Sequence, residues 1–102
     1  MIKHIVMWKL QEFAEGADKQ ENVLKIKTQI EKLKDKIKSI ALLEVGINTN
    51  ESPDSYDVVL YSEFANMADL KIYQDHPEHT SVGDFINKVR LERKVVDYEV
   101  MN

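Results

Sequence analysis

Three histidines, His4, His76 and His79, are the only histidines in this sequence, and histidine is the one side chain whose ordinary pKa lies near neutral pH. Two of them fall in the segment Tyr73-Gln74-Asp75-His76-Pro77-Glu78-His79. Histidines three residues apart can share one side of a helical turn, a spacing open to metal binding. A zinc site takes three or four protein ligands. Without cysteine, only Asp75, Glu78 and His4 remain to complete such a set, so no metal site is expected. The proline points to different chemistry. If the chain bends at His76-Pro77, Tyr73 and His79 face each other across the bend. A tyrosine hydroxyl beside an imidazole is an acid–base pair: histidine takes a proton and tyrosine donates to a developing oxyanion. His4 can face the same space. Each residue also has a plainer reading. His4 packs with its ring nitrogens satisfied, His76 starts a helix before Pro77, His79 is an exposed first-turn residue, and Tyr73 packs with Leu70 and Ile72.

Other chemistries lack their residues. The chain has no cysteine, which excludes disulfides, thiolate metal sites and thiol nucleophiles. Its three glycines, Gly16, Gly46 and Gly83, are scattered and form no phosphate-binding loop. No serine sits in a nucleophile-elbow motif. No cofactor is expected.

The elements that must position these residues follow from periodicity. In residues 2–10, Ile2, His4, Val6, Trp8 and Leu10 share one face, and Lys3, Ile5, Met7 and Lys9 the other; this alternation predicts a strand. A helix is predicted over about 18–38. Asp18 and Glu21 resemble a capping box at its start, and Val23, Ile26, Ile30, Leu33 and Ile37 form one apolar stripe. Strands are predicted at 41–48 and 56–64, joined by a polar loop around Pro53. A short helix from Asn66 to about Gln74 ends at His76-Pro77. A second helix runs through Val82, Phe85, Ile86 and Val89, and a strand over about 93–100 closes the chain. The order β-α-β-β-α(α)-β is the split βαβ, ferredoxin-like α+β plan, an antiparallel four-stranded sheet with helices on one face.

The chain has 102 residues, 43% of them hydrophobic, and a net charge of −4. This length fits one domain, 1–102, near the lower limit for a self-sufficient core. No basic cluster suggests nucleic acid. No apolar run approaches ~18 residues, and the N-terminus lacks the build of a signal peptide, so no membrane partner and a cytoplasmic location are expected. Both faces of the first and third strands are apolar: Ile5 and Met7 lie opposite Val6 and Trp8, and Val59 and Tyr61 opposite Val58 and Leu60. Helices cover one face only, and an apolar sheet face in water is a large exposed patch. The expectation is a homodimer in which two sheets pack face to face as a dimeric α/β barrel.

Ile2-Lys3-His4-Ile5-Val6, Leu43-Glu44-Val45-Gly46, Tyr56-Asp57-Val58-Val59-Leu60, Tyr73-Gln74-Asp75-His76-Pro77-Glu78-His79 and Val96-Asp97-Tyr98 together resemble the stress-responsive dimeric A/B barrel (Dabb) family over nearly the whole chain. The resemblance implies the same fold, a homodimer through the sheets, and a pocket between sheet and helices. The family's plant olivetolic acid cyclase closes a linear polyketide thioester by an aldol condensation without a cofactor. By resemblance to it, His79 is the general base, Tyr73 its partner and oxyanion donor, and His4 a group that shapes or polarises the site. The cyclase also carries a pocket histidine in its third strand, where this chain has Val58. Magnesium occurs in some members; nothing in this sequence specifies a site for it. Three functions are therefore carried forward. The first is a cofactor-free cyclase-, lyase- or isomerase-like catalyst acting on a carbonyl or polyketide-like compound. The second is a non-catalytic ligand-binding or stress-protective dimer. The third is a cofactor-free monooxygenase of the related barrel family.

Overall fold

The computed structural model describes residues 1–101; Asn102, the last residue of the expected domain, lies outside the described residues. The elements are β1 (Ile2–Leu10), β2 (Phe13–Ala14), β3 (Ala17–Asp18), α1 (Lys19–Lys36), β4 (Leu42–Ile47), β5 (Val58–Phe64), α2 (Met67–Asp75), α3 (Pro77–Val89) and β6 (Arg90–Glu99). Four of the strands form one sheet in the order β4-β5-β1-β6, with every neighbouring pair antiparallel. This is the ferredoxin-like α+β arrangement, and three helices lie against the sheet.

The alternation in β1 becomes burial. Ile2, His4, Val6, Trp8 and Leu10 are all buried, while Lys3, Ile5, Met7 and Lys9 are half-buried or exposed. Helix α1 begins where Asp18 accepts a hydrogen bond from the Glu21 amide, satisfying one of the free donors at the helix start. Its stripe Val23, Ile26, Ile30 and Leu33 is buried against the sheet. Each such side chain contributes about 1.5–3 kcal/mol by leaving water. Ile37, the last residue of the predicted stripe, is buried as the C-cap.

Two differences from the sequence reading have clear causes. A two-residue hairpin, β2–β3, precedes α1. Glu15 and Gly16 both have positive φ, 51° and 75°, the signature of a primed turn whose twist suits paired strands. The buried Asn22 amide donates to the Ala14 carbonyl at 3.0 Å and ties the hairpin to the helix. The final strand begins at Arg90 rather than near 93, because a register shift at Lys9/Leu10 lets pairing continue to the end of α3.

The core has two clusters. Val6, Trp8, Ile26, Ile30, Leu60 and Ile86 belong to the larger one. Ile2, Leu33, Phe64, Leu70 and Tyr73 belong to the other. Along β1, His4 stands between Ile2 of one and Val6 of the other.

Candidate active site

A cavity of about 190 Å³ opens where these clusters meet, lined by His4, Val6, Trp8, Ile30, Leu33, Leu60, Tyr73, His79, Val82, Gly83, Ile86, Asn87 and Arg93. Three elements aim its chemistry. β1 supplies His4, the last turn of α2 supplies Tyr73, and the first turn of α3 supplies His79.

The bend that joins Tyr73 to His79 is built by His76. This residue is at once the C-cap of α2 and the N-cap of α3. Its backbone N–H reaches back to the Tyr73 carbonyl at 3.2 Å. Its Nδ1 accepts the Glu78 amide at 3.1 Å, and Pro77, which has no N–H to satisfy, opens the next helix. His76 is thus a helix-start residue, and the ring of His79 is turned back onto Tyr73. Their centroids are 4.5 Å apart at 61°, an edge-to-face contact. No hydrogen bond joins the two side chains, and His79 Nδ1 is buried without a partner. Tyr73 is 1% exposed, packed against Phe64 at 5.1 Å and His4 at 6.1 Å between ring centroids. Leu70 is buried near it, but Ile72 is exposed, because it falls on the solvent side of α2.

Burial governs the protonation of the pair. Desolvation lowers the His79 pKa from its ordinary 6.5, and the neighbouring His4 and the Arg93 charge lower it further; the Gln74 carbonyl opposes this only in part. The ring is therefore neutral at pH 7, as a general base must be. Desolvation also pushes the Tyr73 hydroxyl well above its ordinary range, so it remains a proton donor.

His4 is held by a residue that the sequence reading passed over. The β1–β6 register places Asp97 directly opposite His4, and the Asp97 carboxylate hydrogen-bonds His4 Nδ1. On the other side, Ser62 pairs with His4 and donates its hydroxyl to the His4 carbonyl at 2.9 Å. Asp97 thus orients the ring from β6, while Ser62 on β5 anchors the His4 backbone. Cross-strand opposition carries the signal for Asp97, and it becomes readable once the first and last strands are aligned. Arg93, also on β6, is the second residue missed. Val58 opens β5 opposite Trp8 and is fully buried, so the third strand places an apolar side chain there. Asp75 is exposed, paired with Lys71 at 2.9 Å, and Glu78 faces Lys36. Among the described residues, no three histidine or acidic side chains come together to hold a metal ion.

Solved structures share this fold. A dimeric protein of unknown function with a ferredoxin-like fold from Bacteroides fragilis is 37% identical, with a TM-score of 0.83 over 97% of this chain and 95% of that one. A Dabb family protein from Mesorhizobium loti is 22% identical, with a TM-score of 0.77 over 99% and 97%. A hydroxynitrile lyase from Passiflora edulis is 14% identical, with a TM-score of 0.82 over 98% and 93%. The latter two likenesses speak to the fold alone. No curated protein matches the sequence. The model of the stress-responsive A/B barrel domain matches residues 2–100, and the chain therefore belongs to the stress-responsive A/B barrel (Dabb) family.

Proposed function

We propose that this chain is a single Dabb domain, active as a cytoplasmic homodimer, whose pocket is a cofactor-free acid–base catalyst for a small carbonyl compound. The observation that carries this reading is the contact between Tyr73 and His79 at the wall of an otherwise largely apolar cavity. The neutral His79 imidazole takes a proton from the carbon next to the carbonyl. The Tyr73 hydroxyl, which makes no hydrogen bond among the described residues, donates to the enolate oxygen as it forms. His4, fixed by Asp97, polarises the same oxygen or orients the substrate. The proton then returns from His79 at the new position, giving an isomerisation, or the enolate carbon attacks a second carbonyl whose oxygen takes the proton from His79, giving an aldol-type closure. A cavity of about 190 Å³ favours a small substrate over a long polyketide, since an apolar cavity of roughly 150 Å³ holds one benzene.

The homodimer rests on the outer face of the sheet, where Met7, Leu42, Val96 and Tyr98 are 37–52% exposed, and on the dimeric nature of the Bacteroides fragilis protein. Burying that face between two copies removes an apolar surface that one subunit leaves in water.

The test is a screen of small ketones and oxo acids for turnover by the wild type, His79→Ala and Tyr73→Phe. The expected result is a loss of about 10²–10⁴-fold for His79→Ala and a smaller loss for Tyr73→Phe. Equal rates in all three proteins overturn the reading. A ligand-induced rise in melting temperature without turnover assigns the pocket to the non-catalytic alternative.

A further inference from the structure

The cavity has one formally charged side chain in its lining, Arg93, and no carboxylate. In a chain of net charge −4, this is a local reversal of sign. The β1–β6 register sets Arg93 opposite Trp8, on the same face of the strand as Asp97. The edge strand β6 is exposed along nearly its whole length, so the guanidinium stands at the open rim of the space that Tyr73 and His79 close from the other side. Among the described residues, Arg93 takes part in no salt bridge and no side-chain hydrogen bond. The nearest carboxylate along the strand face, Asp97, is engaged by His4. A second donor stands close by. Asn87 also lines the cavity, and its Oδ1 is taken by Arg90 Nε at 2.9 Å, which leaves the amide N–H₂ available. The Arg93 charge reaches both members of the pair, disfavouring protonation of His79 and favouring ionisation of Tyr73.

We propose that Arg93, with the Asn87 amide, selects a small carboxylate anion that presents a second, reacting carbonyl to Tyr73 and His79. A guanidinium fork matches the two oxygens of a carboxylate, and such a charge-assisted pair is stronger than a neutral hydrogen bond. The cavity size limits the ligand to an oxo acid of roughly six to ten non-hydrogen atoms. The role of the reacting carbonyl rests on the catalytic reading above; the preference for an anion stands on binding alone.

The experiment is calorimetric titration of wild type, Arg93→Gln, Arg93→Lys and His79→Ala with 2-oxobutanoate, 4-oxopentanoate and the uncharged methyl ester of 4-oxopentanoate. The wild type is expected to favour the best-fitting carboxylate over the ester by about tenfold or more. The preference disappears in Arg93→Gln, survives in part in Arg93→Lys, and persists in His79→Ala. It weakens between low and high salt, because Arg93 is exposed to solvent. Equal affinity for acid and ester in the wild type overturns the proposal. So does a preference that survives Arg93→Gln, or no binding of either carboxylate at millimolar concentration. Because His79→Ala removes turnover without touching the guanidinium, failure of the catalytic reading and failure of the anion preference give different results.

Discussion

The two faces of the sheet share a strand and an alternation but not a purpose. On β1 the inner side chains are buried without exception, whereas on the outer side Lys3 and Lys9 flank Ile5 and Met7. The helices cover the inner face of β1 and β5, where His4 meets Tyr73 of α2 beside a cavity, while β6 stays exposed. The outer face mixes apolar side chains with a polar cluster: Lys3 Nζ meets Glu63 at 2.5 Å and the Tyr61 hydroxyl at 2.7 Å. Contact with Glu63 and Tyr61 holds the Lys3 ammonium well above its ordinary pKa, and Lys3 and the Tyr61 hydroxyl hold Glu63 below its own. The inner face is therefore what one subunit needs in order to fold, and the outer face is what it has to offer another copy. An alternating strand specifies both surfaces at once, since a shift of one residue exchanges them.

The sharpest way to break this contrast is to damage the inner face. Phe64 is fully buried at the end of β5 and supports the Tyr73 ring. Phe64→Ala should cost about 3–5 kcal/mol. In a domain of this length that is a fall in melting temperature of more than about 12 °C, read by calorimetry. An equal loss from the outer Val96→Ala would erase the distinction between the faces. On the outer face the effect belongs to assembly. Val96 is 52% exposed on that surface, on the edge strand β6 opposite Ile5. Val96→Asp should leave the fold of the subunit within about 1 kcal/mol while converting the proposed dimer to monomer in light scattering. A dimer that survives Val96→Asp removes the outer face from the interface.

A subtler difference is pH dependence, which the inner face alone should show through His79. Its pKa is lowered in the folded state, so the unfolded chain binds the proton more readily. Stability from this group is present above its ordinary 6.5 and is lost as pH falls through that value toward the folded pKa. Activity that uses the neutral ring should fall on the same acid side, at a pH below 6.5. Melting temperature and kcat/KM followed from pH 4 to 8 check both, and His79→Ala should flatten the contribution. The smallest effect expected is that of Lys3→Met. Its ion pair with Glu63 is accessible to water in the single subunit, so the urea midpoint of a monomeric Val96→Asp background should hardly move.

The legible parts of the fold were those with a period. β1 is read at its true ends because nine residues alternate without interruption, and the α1 stripe appears because five apolar residues recur at helical spacing, the last of them at the C-cap. The bend at His76-Pro77 is legible because proline admits few conformations, and with it comes the meeting of Tyr73 and His79. The β2–β3 hairpin is invisible to periodicity, since two residues make no pattern. Asp97 and Arg93 escape for a different reason. Arg93 reaches the cavity, and Asp97 the His4 ring, only through pairing across about ninety residues of sequence, and nothing local to either residue announces its opposite number. Ile72 was grouped with the core by its apolar character, but the rotation of α2 that buries Leu70 and Tyr73 turns it outward.

His76 closes one helix and opens the next with no spacer between them. The junction therefore works as a fixed gear between two cylinders. Each residue of an α-helix turns the chain by about 100°, so one residue added or removed there would swing His79 off Tyr73 and away from the cavity. The polar loop over 49–55 has no such gearing, and none of its residues lines the site. Among distant Dabb chains, the spacing from Tyr73 to His79 should stay constant where the loop before β5 drifts.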